Sequence, residues 1–418
     1  VSDSLDTSFV PSLDDVRAAQ ATVRQTARMT PLDSARFLQQ YVGSPVFLKA
    51  ENLQRTGSYK LRGATNRLSK LSAEERARGV VAASAGNHAQ GVAFAARELD
   101  IPATIFMPKG VPIPKFEATA GYGAEIRLEG DNVAESLAGA QRFAEETGAV
   151  FIHPYDHPDI ITGQGTLALD IVEQLPEVDT VIVPIGGGGL ASGLGATLKQ
   201  YAAEQGREIQ VIGVQAENTA PFPVSMRAGR PVKIAARPTI ADGIAVAEPG
   251  QLTFEVVRKF VDRIITVSEG DLSRAILLLL ERAKLVAEPA GAAAVAAILS
   301  GQVRDTGTTV ALLSGGNIDP MMLEKVISQG LTASDRYLKL VIGLQDVPGH
   351  LARIATILAE IGANVIEVLH TRHNKALQID RVELEVSVET RGTNHARQVI
   401  QALREAGYEP RIDRNATV

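Results

Sequence analysis

Short, predominantly apolar runs alternate with longer stretches of helical periodicity along most of the chain. The runs at 46–49, 80–83, 103–107, 124–128, 180–184, 210–215, 264–267 and 309–313 are short enough for buried strands and are bounded by turn-forming or charged residues. Between them, 89–98, 132–147 and 190–204 repeat apolar positions at helical spacing. Strands this apolar need cover on both faces. Their alternation with helices therefore predicts an α/β fold with a mostly parallel sheet and right-handed crossovers. The alanine-rich stretch 287–298 reads as a tightly packed helix.

The pattern changes near Ser334. A strand at 337–343, a helix at 349–361, strands at 364–371 and 381–389, a helix at 394–406 and a short strand ending at 412 give the order β-α-β-β-α-β. In about 80 residues this is the ferredoxin-like arrangement. A boundary is expected within 328–336, dividing the chain into 1–327 and 328–418.

Composition narrows the function. Of 418 residues, 45% are hydrophobic and 22% charged, as in a globular protein. Tryptophan is absent, so the core must be aliphatic. The net charge of −6 comes without a dense basic block, which argues against a nucleic-acid partner. No apolar run is long enough to cross a bilayer, so no membrane partner is expected. Cysteine is absent, which excludes disulfides, thiolate metal sites and cysteine nucleophiles. Residues 1–15 are polar and acidic, unlike a secretory signal, and a cytoplasmic location is expected.

Four segments carry candidate chemistry. In Gly57-Ser58-Tyr59-Lys60 a turn leads into a helix start. The helix dipole there would lower the lysine pKa and make Lys60 a nucleophile; alone, it reads equally as a solvated helix lysine. Ser84-Ala85-Gly86-Asn87-His88 follows a strand and opens a helix, where backbone N–H groups could hold a carboxylate or phosphate, or simply form a capped turn. Gly186-Gly187-Gly188-Gly189 lets the backbone wrap an anion closely, but lacks the Lys-Ser/Thr of a P-loop and the spacing of a dinucleotide fingerprint. Ser314-Gly315-Gly316-Asn317 ends a strand at the sheet edge where open α/β folds bind ligands. Separately, Glu288-Pro289-Ala290 reads as either a helix cap or part of a site.

In this order, together with Thr30-Pro31-Leu32, these segments resemble the fold-type II pyridoxal-phosphate (PLP) enzymes, and most closely their threonine dehydratase (threonine ammonia-lyase) branch. The resemblance covers about residues 12–325 and implies two open, mostly parallel αβα subdomains, the smaller one, at about 55–155, inserted in the larger. The remainder resembles an ACT domain, through Asp346-Val347-Pro348-Gly349-His350-Leu351 and Gly362-Ala363-Asn364-Val365. One such module implies the medium-length form of the enzyme.

The resemblance also implies roles. Lys60 would carry PLP and then act as the base at the substrate Cα. Asn87 would bond the cofactor's phenolic oxygen, and Gly186 to Gly189 with Leu190 would cradle its phosphate. Ser314 would face the pyridine nitrogen, a neutral partner that suits β-elimination. Tyr59 and Glu288 would lie against the cofactor, and Ser84, Ala85, Gly86, Asn87 and His88 would bind the substrate carboxylate. Ala85 stands where racemases of this fold carry a second serine, so racemisation is not expected. Glu217 matches a metal-binding position of some relatives, but Pro221 and Pro223 offer no ligand oxygen, and no metal is expected.

Asp346, Gly349, His350, Asn364 and Val365 would hold a free amino acid between paired modules, isoleucine first and valine as counter-effector. Pairing implies a homodimer or homotetramer. The expected reaction is deamination of L-threonine to 2-oxobutanoate and ammonia, as a step of isoleucine biosynthesis. A catabolic serine/threonine dehydratase and a non-catalytic amino-acid sensor are the alternatives.

Overall fold

The computed structural model describes residues 8–372 and 381–413. The residues divide into two compact units, Val1–Asp319 and Pro320–Val418. In the first unit a six-stranded sheet is built from β1 (Leu32–Ser34), β2 (Val46–Ala50), β7 (Thr180–Pro184), β8 (Gln210–Ala216), β9 (Arg263–Val267) and β10 (Thr309–Leu313). Its order is β1-β2-β10-β7-β8-β9. All neighbours are parallel except β1, which pairs antiparallel to β2. A second sheet, order β5-β4-β3-β6, contains β3 (Val80–Ala83), β4 (Ala103–Met107), β5 (Glu125–Leu128) and β6 (Val150–Phe151), all parallel. The chain therefore leaves the larger sheet after β2 and returns to it at β7.

The central strands β3, β7 and β10 are buried at every position. This is why they read as continuous apolar runs: helices cover both faces. The larger core packs Val181 and Val183 of β7 against Leu190, Leu194 and Leu198 of the helix Gly189–Glu204. The smaller packs Val80 and Ile105 against Leu61, Ala64 and Val92.

The alanine-rich stretch needs correction. Only Ala293–Leu299 is helical, whereas 287–292 is a turn-rich segment. Pro289 lacks a donor N–H, and Gly291 lies so close to the Gly315 carbonyl that a Cβ would collide with it. Packing against the loop after β10 thus holds Glu288 out of the helix.

In the second unit the helix Pro320–Ala333 precedes β11 (Tyr337–Gln345), the helix His350–Ile361, β12 (Asn364–Thr371), β13 (Arg381–Glu389), the helix Thr393–Glu405 and β14 (Pro410–Ile412). The sheet is antiparallel with order β12-β13-β11-β14, the ferredoxin-like topology. Alternate β11 residues Leu338, Leu340, Ile342 and Leu344 point into its core. Among the described residues, no helix is long and apolar enough to cross a membrane.

Candidate active site

Lys60 begins the helix Lys60–Ser69. The turn before it is clamped to the loop after β10. Tyr59 N donates to Ser314 O at 3.1 Å, Gly316 N donates to Gly57 O at 2.9 Å, and Ser58 forms an isolated bridge with Gly315. On its other side, Gly91 of the helix Asn87–Glu98 meets the Lys60 backbone so closely that a Cβ would sit 3.1 Å from the Lys60 carbonyl carbon. Three segments distant in sequence therefore meet at Lys60.

The Lys60 ammonium donates to the Pro154 carbonyl at 2.9 Å and lies 5.4 Å from the centre of the Tyr59 ring. Burial lowers its pKa to about 8, with Glu288 opposing the shift. Burial, rather than the helix dipole invoked from sequence, is thus the leading cause. Burial also raises the Tyr59 phenol, so it stays protonated. Two nearby imidazoles are kept neutral chiefly by burial, His88 at about 3 and His153 at about 4. The His88 ring is tied to the Ile152 carbonyl at 2.9 Å, which leaves its backbone rather than its ring for an anion.

The tetraglycine lies between β7 and the helix Gly189–Glu204. Gly188, with φ of 102°, is the N-cap, and no side chain caps the first-turn N–H groups. They are free to meet an anion. The glycines are needed because Tyr155, next to the Pro154 that receives Lys60, packs on this loop. A Cβ on Gly187 would stand 2.5 Å from its ring, and one on Gly189 would stand 2.9 Å from the Tyr155 Cβ. Thr253 Oγ1 donates to Gly187 O at 2.6 Å. Asp156 accepts from Gln251 N and Thr253 N, both at 3.0 Å, holding the start of the helix Gln251–Phe260 against the loop.

The helix Asn87–Glu98 likewise starts without a side-chain cap, after Gly86, whose absent Cβ would meet nothing within 4 Å. Ser84, Ala85 and Gly86 are partly exposed at this open turn. The Asn87 side chain donates to Glu288 Oε1 at 2.6 Å and accepts from Asn317 Nδ2 at 2.8 Å. Burial first, then Asp242, raise the Glu288 carboxyl to about 7.

The arrangement suits a phosphorylated aldehyde. It presents a lysine with lowered basicity, an uncapped glycine-lined helix start, and the buried hydroxyl of Ser58, whose oxygen has no hydrogen-bond partner. The family model described as pyridoxal-phosphate dependent enzyme matches residues 23–315. The chain belongs to the pyridoxal-phosphate-dependent enzyme family.

The L-threonine ammonia-lyase of Thermotoga maritima is 46% identical over 402 residues, 96% of this chain and 99% of that protein. An L-threonine dehydratase described as catabolic TdcB, from Staphylococcus aureus, is 43% identical and spans 79% of this chain and 96% of its own. Among solved structures, the processed form of threonine deaminase isoform 2 from Solanum lycopersicum superposes with a TM-score of 0.71 at 36% identity, covering 76% of this chain and 86% of that one.

Tyr155, Asp156 and Thr253 were not singled out from sequence, and Asn317 stood in a motif without a role of its own. Their roles arise from long-range packing. Among the described residues, no group of three or more His, Asp or Glu side chains is placed to hold a metal. In the second unit, Asp346 pairs with Arg372 at 3.3 Å, and His350 Nδ1 lies 3.2 Å from the Tyr408 hydroxyl. Gly349 caps the helix that His350 begins. Asn364 and Val365 pair with Glu389 and Val388, whereas the Asp346–His350 loop follows Gln345, which pairs with Arg381. The two groups thus lie at opposite ends of the same sheet, and one copy does not bring them together.

Proposed function

We propose that this enzyme deaminates L-threonine to 2-oxobutanoate and ammonia, and that an amino acid binding the second unit regulates it. The reading is carried by the partly buried Lys60 amine, set against the Asn87 and tetraglycine segments, in a chain that resembles an L-threonine ammonia-lyase over nearly its full length. That likeness takes in most of the second unit, since 402 of 418 residues are matched. Isoleucine is the favoured effector, which would place the reaction in biosynthesis.

Lys60 would hold the cofactor, with the tetraglycine and the Leu190 N–H on its phosphate, Asn87 on its phenolic oxygen and Ser314 at its ring nitrogen. Bound there, PLP supplies the sink for the electron pair left when the substrate Cα loses its proton. Lys60 removes that proton: an amine of pKa about 8 is neutral in about one molecule in five near pH 7.4, against less than about one in a thousand at the ordinary 10.5. Within the turn Ser84–His88, Ser84 N and Gly86 N already donate to Phe106 O and Ser84 Oγ, so the substrate carboxylate is oriented by the N–H groups of Ala85, Asn87 and His88. The neutral Tyr59, His88 and His153 add no competing charge. Ala85 has no proton to move, so racemisation is not expected beside elimination.

A coupled assay with L-threonine and L-serine, with and without isoleucine, tests the reading. Threonine turnover that falls with isoleucine supports both parts. Turnover indifferent to isoleucine removes the biosynthetic part and favours a catabolic dehydratase, the role named for the S. aureus relative. A cofactor-loaded protein releasing ammonia from neither substrate overturns the activity.

A further inference from the structure

Glu288 takes no part in the proton transfer assigned to Lys60, yet it is buried, 6% exposed, at the centre of the site. Its carboxylate ends a chain of hydrogen bonds that starts on the backbone. Asn317 Nδ2 donates to the Thr56 carbonyl at 2.8 Å. A carbonyl can only accept, so the Asn317 amide has one orientation. The same nitrogen therefore presents a donor to Asn87 Oδ1 at 2.8 Å, with Gln90 Oε1 at 3.2 Å beside it. Asn87 is oriented in turn, and its Nδ2 donates to Glu288 Oε1 at 2.6 Å. Flipping Asn87 would set N–H against N–H at one end and oxygen against carboxylate at the other. The surrounding glycines belong to this arrangement. A Cβ on Gly57 would collide with the Asn317 amide, and one on Gly315 would collide with the Glu288 carboxylate.

An amide nitrogen carries two hydrogens. One is spent on Glu288. We propose that Glu288 is a positioning residue, which fixes the Asn87 amide so that its second Nδ2 hydrogen is the donor offered to the cofactor's phenolic oxygen. This rests on the assignment of Asn87 to the cofactor made above. The charged groups facing Glu288 are Asp242, which favours protonation, and Lys115 and Lys60, which oppose it along with the Asn87 bond. Burial leads the balance and brings the carboxyl to about 7. Protonation would exchange a charge-assisted bond for a neutral one about half as strong, so the clamp tightens as pH rises through neutrality.

The test uses the full-length holoenzyme without substrate. Visible absorbance of the bound cofactor and its dissociation constant are followed across neutral pH for wild type, E288Q, E288A, N87A and the pair N87A with E288A. E288Q is nearly isosteric and guards against misfolding. Wild type should show a neutral-range spectral titration that E288Q lacks. E288A should weaken cofactor binding about 10- to 100-fold, the loss of one charged hydrogen bond. Added to N87A, it should cost little more, because Glu288 acts through Asn87. A wild-type titration surviving in E288Q, or the full E288A effect persisting on top of N87A, would overturn the proposal. So would an N87A protein with unchanged spectrum and affinity. Since no substrate is present, these outcomes are independent of whether threonine is turned over.

Discussion

Arg62 tests how firmly the helix carrying Lys60 is held. It lies two residues beyond Lys60 in the same helix and is 1% exposed. Its Nε and Nη2 donate to the two Glu51 oxygens at 2.8 and 2.9 Å, and Nη2 also lies 2.7 Å from Asp170 Oδ2. Arg24 covers the other Asp170 oxygen at 2.8 Å. Lys49 is no substitute, because its amine, lowered to about 8 by burial, donates to the Thr30 carbonyl and to Gln174.

Arg62→Met keeps much of the volume but leaves Glu51 with only the Thr30 hydroxyl, at 2.6 Å, and uncovers half of Asp170. Breaking a buried ion pair from one side costs about 3–5 kcal/mol, a large share of the roughly 5–15 kcal/mol that holds a typical domain. With a urea slope of about 3 kcal/mol/M, the midpoint should fall by roughly 1–2 M. The chain has no tryptophan, so circular dichroism is the natural probe.

The loss should also depend on pH. In the wild type, burial pushes the Asp170 carboxyl up, but Arg62 and Arg24 outweigh it and hold it below its ordinary value. Wild type therefore loses this contribution as pH falls through that lowered pKa, while stranded carboxylates in the variant are relieved by protonation. The gap should narrow on acidification, and E51Q added to R62M should recover part of the loss. An R62M protein within about 1 kcal/mol of wild type would refute the reasoning. A gap unchanged between neutral and acidic pH would do the same.

Lys60→Met should abolish covalent cofactor attachment and turnover while stabilising the apoprotein. A buried amine lowered from 10.5 to about 8 costs about 3 kcal/mol below the folded pKa, and the cost fades as pH rises toward 10.5. Denaturation at neutral and strongly alkaline pH checks this; equal gains at both would contradict it. Gly187→Ala should reduce cofactor retention by pressing on Tyr155, and a smaller side chain at Tyr155 should restore part of it. Equilibrium dialysis reads the effect, and unaltered retention in G187A would show that the loop yields freely.

Much of the fold was legible from local pattern. β3, β4, β7 and β10 coincide with the apolar runs, because burial on both faces leaves an uninterrupted apolar signature. The second unit's strands follow the predicted order through a different signal, the alternation of one buried face, as in β11. The helix prediction at 287–292 failed because the alanine content spoke for propensity, while Pro289 and the approach of Gly291 to Gly315 decided the backbone. The helix Pro158–Gln174 was not anticipated; 13 of its 17 residues are buried, polar ones included, which blurs any amphipathic stripe.

The candidate site divides the same way. Lys60, Asn87, the tetraglycine and Ser314 stand in short motifs with their own turn chemistry, so sequence alone singled them out. What the sequence could not carry is their convergence. Asn87 and Glu288 bond across 201 residues, and Asn317 and Asn87 across 230. Tyr155 sits on the tetraglycine through no pattern of its own. Propensity and periodicity act over one or two turns of chain. The pKa of a lysine and the orientation of an amide are set by whatever the fold brings within a few ångströms, and that only the tertiary structure decided.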